Sequence, residues 1–292
     1  MSPSLQPMPD LNQPELTPAQ VRAWLGPARF ARYRAASGGD EGLALRLYQW
    51  NSQVAAAALV DVGHFEVALR NAYDRQLSSW FPNWTIDPRS ALFTRTQGHP
   101  AAVAEQRRMN ERSLRDLTQA RRGLGSRPSH GQVLASLSFG FWAQMSARAR
   151  TSTFWVPMIR HAYPAVVSAQ VRHVHDLVQN VVGFRNRLAH GERVFSTQTG
   201  LLHRMDDVAT LFRMLHPEAA AWTERYSTVD PVLARCPVPN LMPPTERRGP
   251  LTVAQLAALS SSVQLGASRS GRTTRSPSAP PAQQPQHPGP TL

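Results

Sequence analysis

Three polar residues near position 190, Arg185, Asn186 and His190, have side chains that could carry out acid–base chemistry on a phosphate. If residues 165–192 form a helix, Asn186 and His190 lie one turn apart on one face, side by side. Arg185 lies on the side of this helix that carries the apolar residues. A guanidinium is costly there unless it meets a carboxylate or a phosphate. This arrangement is unusual for packing alone, so we interpret the end of the helix as a candidate site.

The three residue types suit the cleavage of RNA by its own 2′-hydroxyl. That reaction needs one proton removed, a leaving oxygen protonated, and the charge on phosphorus stabilised. His190 can act as general acid or base near neutral pH, and Arg185 can bind the phosphate through charge-assisted hydrogen bonds. Asn186 can orient either group. No step requires a metal ion, so the sequence predicts neither a metal site nor a cofactor.

Several other kinds of enzyme site are excluded by the absence of their motifs. The chain has no lysine and therefore no Walker-type phosphate loop, and it has neither H-E-x-x-H nor G-x-S-x-G. His173 and His175 are two residues apart and point to different faces of a helix, which makes them poor joint metal ligands. The single cysteine, Cys236, excludes an intramolecular disulfide and argues against a metal–thiolate site.

The charge of the chain favours an anionic partner. The formal net charge is +13 and the isoelectric point is about 11.4, although a bias in coding sequence could also explain why all 32 basic residues are arginine. The helix predicted over residues 101–122 carries the candidate RNA-binding residues Arg107, Arg108, Arg112 and Arg115. Acidic residues are interleaved with them, so this surface is predicted either as a solvated face or as an RNA-steering surface.

Hydrophobic periodicity predicts an all-α fold without strands. Residues 1–16 and 231–292 are rich in Pro and Ser and are predicted to be largely disordered, flanking one helical domain over residues 17–230. The predicted helices span residues 17–36, 41–77, 101–122, 133–145, 165–192, 199–214 and 219–226, with a segment over 151–163 that is broken at Pro157. No signal peptide or membrane-spanning run is recognisable, so we expect a cytoplasmic protein without a membrane partner.

A second polar group lies on the long helix predicted over residues 41–77. Glu66 and Arg70 have the i,i+4 spacing of an ion pair, and Asn71 follows them. They form either an ordinary surface pair or a group that faces His190 across a helix pair. The sequence leaves both interpretations open.

The string F-R-N-R-L-A-H-G-E at 184–192 resembles the R-x4-6-H motif of HEPN-type ribonucleases in its Asn-containing form, and more widely the Abi-like abortive-infection proteins of prokaryotes. Two further strings agree with this resemblance. F-E-V-A-L-R-N at 65–71 is similar to the family's first-helix motif, and L-S-F-G-F-W at 137–142 to its central apolar segment. The resemblance covers roughly residues 43–215.

This resemblance implies a bundle whose two longest helices pack antiparallel, and a homodimer with two motifs in a shared cleft. It implies a metal-independent endoribonuclease that acts as a toxin or in phage defence, with RNA as substrate and an antitoxin protein as a possible partner. The matching positions are Arg185, Asn186 and His190, with Glu66, Arg70 and Asn71 in supporting places. Many members have a second histidine where this chain has Gly191, which would reduce or abolish activity if that imidazole shares the proton chemistry.

Two other functions stay open at this point. The same fold could be a non-catalytic module that binds RNA or a protein through its arginines, with the motif kept only as structure. Some HEPN proteins also pair with nucleotidyltransferases, but the sequence lacks the Gly-Ser and Asp-x-Asp pattern of the transferase itself.

Overall fold

The computed structural model describes residues 16–87, 90–164, 171–196, 200–239, 241 and 255. Over these ranges the chain is helical and contains no strand, which confirms the predicted fold class. The helices are α1 Pro18–Leu25, α2 Pro27–Ala36, α3 Glu41–Ser78, α4 Pro100–Arg122, α5 His130–Ser136, α6 Phe139–Ala143, α7 Val171–Ala189, α8 Leu201–Leu215, α9 Pro217–Tyr226 and α10 Val229–Leu233. Short 3₁₀ turns lie at Leu92–Thr94, Gln144–Ser146, Arg148–Arg150 and Ile159–Ala162, and a π-helical turn at Thr151–Trp155.

Helix α3 is the centre of the bundle, and α2, α7, α8 and α10 all pack against it. The Asp40 carboxylate caps its first turn by accepting a hydrogen bond of 2.8 Å from the backbone N–H of Leu43. Apolar side chains recur along α3 at helical spacing, and Leu47, Val54 and Phe65 are completely buried. The bounds predicted from sequence, residues 41–77, are confirmed to within one residue.

Helices α3 and α7 run in opposite directions where they meet. Asn51, early in α3, is hydrogen-bonded to residues just beyond the end of α7, whereas Glu66, farther along α3, forms an ion pair with Arg185 inside α7. The apolar side chains of Val174, Val178 and Val181 on α7 are completely buried. Residues 165–170, where the sequence predicted the start of this helix, lie outside the described residues.

The helix predicted over residues 17–36 is wrong in one respect, because the chain forms two helices there. Thr17 caps α1, but α1 ends at Leu25 and α2 begins at Pro27. Pro27 has no N–H to donate and restricts the residue before it, and Gly26 takes a positive φ of 77°. This break turns α2 toward the end of α7.

The single buried helix predicted over residues 133–145 is also wrong. Leu137 is extended, and the Ser138 hydroxyl caps a new helix, α6, by accepting a hydrogen bond from the N–H of Phe141 at 3.3 Å. The apolar content of the segment was predicted correctly, since Phe141 and Trp142 are buried. Trp84 packs against both rings, whereas Trp80 is exposed.

The folded part continues past the predicted boundary at residue 230. Helix α10 spans this position, and its Val232 carbonyl accepts a hydrogen bond of 2.9 Å from the indole of Trp50. Cys236 and Val238 pack against the core beyond it. The disorder predicted for residues 1–16 and for the rest of 231–292 falls mostly outside the described residues. None of the described helices combines the length and the apolar composition that crossing a bilayer requires.

Candidate active site

His190 lies at the C-terminal end of α7 with its side chain exposed to solvent. The helix ends in a Schellman motif, in which the N–H of Gly191 donates to the Leu188 carbonyl at 2.9 Å and the N–H of Glu192 to the Arg187 carbonyl at 3.0 Å. Gly191 takes the left-handed φ of 62° that this motif requires. The imidazole is therefore held at a fixed helix end and stays accessible to a ligand.

Asn51 fixes the backbone that follows the motif. This α3 side chain is 1% exposed, donates to the Glu192 carbonyl at 3.2 Å and accepts from the Val194 N–H at 2.8 Å. Both polar ends of the amide are used, so the turn after His190 is tied to the central helix. Asn51 was not among the predicted site residues.

We expect Asn51→Ala to destabilise the protein by about 1–3 kcal/mol, because the substitution leaves a buried N–H and a partly buried carbonyl unpaired. Ser52→Ala is the matched control, since Ser52 is exposed and its hydroxyl bonds only to the preceding helical turn. Urea unfolding followed by circular dichroism measures both variants. Equal midpoints for the two variants would contradict this anchoring role.

Arg29 of α2 makes the second anchor. Its guanidinium donates to the carbonyl of Gly191 and, at 3.4 Å, to that of His190. The same guanidinium lies 5.9 Å from the centre of the Tyr48 ring. The last carbonyls of α7 carry the negative end of the helix dipole, so a cation is favourable there.

The space at Gly191 limits which residue can follow His190. A Cβ at this position would lie 2.6 Å from Nη2 of Arg29, and its φ of 62° disfavours any L-residue with a side chain. We expect Gly191→Ala to lower the free energy of unfolding by about 1–2 kcal/mol. Gly63→Ala inside α3 meets no atom within 4 Å and should raise it by about 0.5–1 kcal/mol. Thermal unfolding of both variants measures whether the two changes in the free energy of unfolding have opposite signs. Changes of the same sign would contradict the backbone strain that we expect at Gly191.

His190 borders a groove of about 520 Å³ between α2 and the turn after α7. Three guanidinium groups surround it, two from α2 and one from the turn. The residues that line this groove are Ala28, Arg29, Arg32, Tyr33, His190, Gly191, Glu192, Arg193 and Ser196. This collection favours an anionic ligand, with one carboxylate, that of Glu192, at its edge.

Tyr33 lies in the wall of the groove with 1% of its surface exposed. Burial raises the pKa of its phenol, and the charges of Arg29 and Arg193 oppose that rise. In the described part of the chain, its hydroxyl has no hydrogen bond of good geometry.

Arg185, Glu66 and Arg70 form a second charged group on the α3–α7 contact. Arg185 Nε lies 3.8 Å from Glu66 Oε2, which is an ion pair that is too long for a hydrogen bond. Burial raises the pKa of Glu66, and the charges of Arg185 and Arg70 counteract this. Arg70 also donates to the Asn71 side chain at 3.4 Å. Of the three predicted supporting residues, Glu66 therefore meets Arg185, Arg70 and Asn71 lie beside it on α3, and no contact in the described part of the chain joins any of them to His190.

Arg185 is not among the residues that line the groove at His190. Five residues of α-helix separate Arg185 from His190 by about 7.5 Å along the axis and about 140° around it. Asn186 is exposed one turn before His190, whose backbone N–H donates to the Asn186 carbonyl at 2.9 Å. Arg187 is half-buried, and its Nε has no hydrogen-bond partner over the described ranges.

The four candidate RNA-binding arginines of α4 are all exposed, as either interpretation of that helix requires. Arg108 pairs with Glu105 one turn away. Helix α4 packs on α5 and on the turns at Leu92–Thr94 and Arg148–Arg150, and none of its residues lines the groove at His190. These arginines form a surface separate from the candidate site.

Among the described residues, no three His, Cys, Asp or Glu side chains lie close enough together to hold a metal ion. The groove residues that the sequence analysis missed are Arg29, Arg32, Tyr33 and Arg193. Arg29 and Arg32 are spaced i,i+3 and therefore share one face of α2, which was the available signal. Their proximity to His190 depends on the break at Pro27, which was not predicted.

The chain was compared with protein-family models, with curated proteins and with solved structures, and no match was found in any of the three. The resemblance to HEPN-type and Abi-like proteins therefore stays a prediction that depends on the three sequence strings.

Proposed function

We propose that this protein is a cytoplasmic, metal-independent endoribonuclease of the abortive-infection or toxin type. The observation that carries the proposal is an exposed His190 at a rigid helix end, beside a groove with three arginines. An imidazole that reaches solvent next to guanidinium groups can meet a phosphodiester. In such a protein an antitoxin partner would act by covering this groove.

The reaction would be an attack of the RNA 2′-hydroxyl on the adjacent phosphorus, with departure of the 5′-oxygen. His190 would accept the proton of the 2′-hydroxyl or donate one to the leaving 5′-oxygen, and water would carry the other proton. Asn186, exposed one turn away, would orient the imidazole or the phosphate. Arg32 and Arg193, which line the same groove, would stabilise the charge that develops on the phosphate oxygens.

Arg185 would contribute to phosphate binding from a position beside the His190 groove. Its side chain is 41% exposed, and its ion pair with Glu66 is longer than a hydrogen bond, so its guanidinium can still bind a phosphate. Glu66 would hold the guanidinium in place between α3 and α7. The exposed arginines of α4, at positions 107, 108, 112 and 115, would attract RNA over a longer range.

A homodimer would bring the Glu66–Arg185 pairs of two copies together. Val60 and Val67 are exposed on α3, and Trp222 of α9 is 53% exposed and contacts His64 with ring centres 5.5 Å apart. Exposed apolar patches of this kind often mark interfaces. Asn71 continues the row of Val67, so a second copy packed here would approach the Glu66–Arg185 pair.

Incubation with total RNA in EDTA, followed by a gel, tests the proposal directly. We expect shortened RNA in EDTA and in Mg²⁺ alike, since no step uses a metal. Loss of cleavage in EDTA would contradict the mechanism. Intact RNA that is retained by the protein, with retention falling steeply as salt rises, would favour a non-catalytic RNA-binding module instead.

The non-catalytic module is favoured by one specific feature. Gly191 occupies the place of the second histidine of many Abi-like proteins, and the backbone conformation there resists a side chain. If proton transfer requires two imidazoles, only phosphate binding would remain. The RNA gel separates these outcomes.

A further inference from the structure

A second cavity, separate from the His190 groove, lies between α3, α8, α9 and the segment leading into α10. Its volume is about 260 Å³, and no residue lines both cavities. Apolar side chains from α8 and α9, including Phe212, Val208 and Ala220, form part of its wall. An apolar wall with a few polar groups is typical of small-molecule sites.

The Asp61 carboxylate of α3 is the deepest charged group in this cavity wall. It is 5% exposed, and its Oδ2 accepts a hydrogen bond of 2.6 Å from the Ser227 hydroxyl. Burial raises the pKa of Asp61, and the Ser227 hydrogen bond opposes that rise. No cation among the described residues forms an ion pair with Asp61, and Arg213, in the same wall, pairs with Glu224 at 2.8 Å. A buried carboxylate is normally paired with a cation or with hydrogen-bond donors.

Thr223 provides an independent second sign of a ligand. Thr223 lines the cavity from α9, and only 7% of its surface is exposed. Its hydroxyl has no hydrogen-bond partner in the part of the chain that the structure describes. Buried hydroxyls are usually paired, so an unpaired hydroxyl in a cavity wall indicates a missing partner.

The local charge is opposite in sign to that of the whole protein. Four carboxylates line the cavity against one guanidinium, in a chain whose formal net charge is +13. This favours a cation. A metal ion is disfavoured, because no group of three possible ligand residues lies together in the described ranges.

We propose that this cavity binds a small primary alkylammonium ion. Its ammonium donates hydrogen bonds to the Asp61 carboxylate and the Thr223 hydroxyl, and its carbon chain packs on the wall at Phe212. The three ammonium protons match these two acceptors and leave one proton for a further acceptor. The proposal does not depend on any action on RNA.

Titration of the full chain with n-butylammonium, followed by calorimetry or by thermal unfolding, tests this site. We expect saturable binding with a Kd of about 1 mM, and no binding of n-butanol, which has the same shape without the charge. Asp61→Asn, which keeps an acceptor for Ser227, should weaken binding at least tenfold. Thr223→Val should weaken it about threefold to tenfold, since only a neutral hydrogen bond is lost.

Glu218→Gln is the matched control, because this α9 carboxylate is exposed and does not line the cavity. It should bind n-butylammonium as the parent chain does. Circular dichroism establishes that each variant is folded, and Thr223→Val provides the test if Asp61→Asn does not fold. Absence of saturable binding, equal binding of n-butanol, unchanged binding by both cavity variants, or a response to Mg²⁺ alone would overturn the proposal.

Discussion

Replacing His190 with alanine is expected to lower the rate of RNA cleavage in EDTA by about 10²–10⁴-fold. Among the described residues that line the arginine-lined groove, His190 is the only histidine, and histidine is the residue type best suited to acid–base catalysis near neutral pH. The His190 side chain is exposed and forms no hydrogen bond or ion pair within the described part of the chain. Its removal should therefore leave the fold intact. Single-turnover cleavage of a labelled RNA measures the loss, and circular dichroism should give the helicity of the parent chain.

His203→Ala is the matched control for this result. His203 is also an exposed histidine on a helix, but it belongs to α8 and does not line the groove. This variant should cleave RNA at the parent rate. If both histidine variants, or neither of them, lose activity, His190 is not the catalytic acid or base.

Replacing Arg150 with alanine is expected to have the largest effect on stability, a loss of about 3–5 kcal/mol. Arg150 is completely buried, and burial lowers the pKa of its guanidinium to about 10. Its Nη2 donates to Asn110 at 3.1 Å and to Ser113 at 2.9 Å, and the Phe154 ring centre is 4.6 Å away. The variant leaves a cavity and two unpaired polar side chains beneath α4.

Arg122→Ala separates this effect from a general loss of positive charge. Arg122 is exposed at the end of α4, so its replacement should change the free energy of unfolding by less than about 0.5 kcal/mol. Arg150→Met fills most of the volume without the hydrogen bonds and should fall between the two. Denaturant unfolding of all three variants measures this order, and an Arg150→Ala variant as stable as Arg122→Ala would refute it.

The helices that could be predicted from sequence are marked by residues that lie close together in the chain. The Asp40 cap and the apolar row of α3 are local features, and the structure has the helix where they indicate it. The break at Ser138 was missed because a long apolar run concealed a capping residue. The break at Pro27 was missed although Gly-Pro is a strong turn signal.

The candidate site could be predicted only in part, because much of it comes from distant parts of the chain. His190 and Asn186 are neighbours in sequence, so helix geometry was enough to place them together. The hydrogen bond from Arg29 to the His190 carbonyl joins residues 161 positions apart, and the Asn51–Val194 bond spans 143 positions. No periodicity within one segment indicates contacts of this range.

The ion pair of Arg185 could be predicted from the sequence only in part. The place of Arg185 on the apolar row predicted that it would meet a carboxylate or a phosphate, and Glu66 is that carboxylate. The sequence analysis also considered that Glu66 and Arg70 face His190, but the contacts lead to Arg185 instead. Helical spacing gives the face on which a residue lies, but not which turn of the neighbouring helix it meets.

The chemical ends of the RNA products formed in EDTA test the central claim most directly. Attack by the 2′-hydroxyl, with a protein imidazole moving the protons, leaves a 2′,3′-cyclic phosphate on one fragment and a 5′-hydroxyl on the other. We predict these ends for the parent chain and their absence with His190→Ala. Products with 5′-phosphate and 3′-hydroxyl ends, or RNA left intact by the parent chain, would contradict the account.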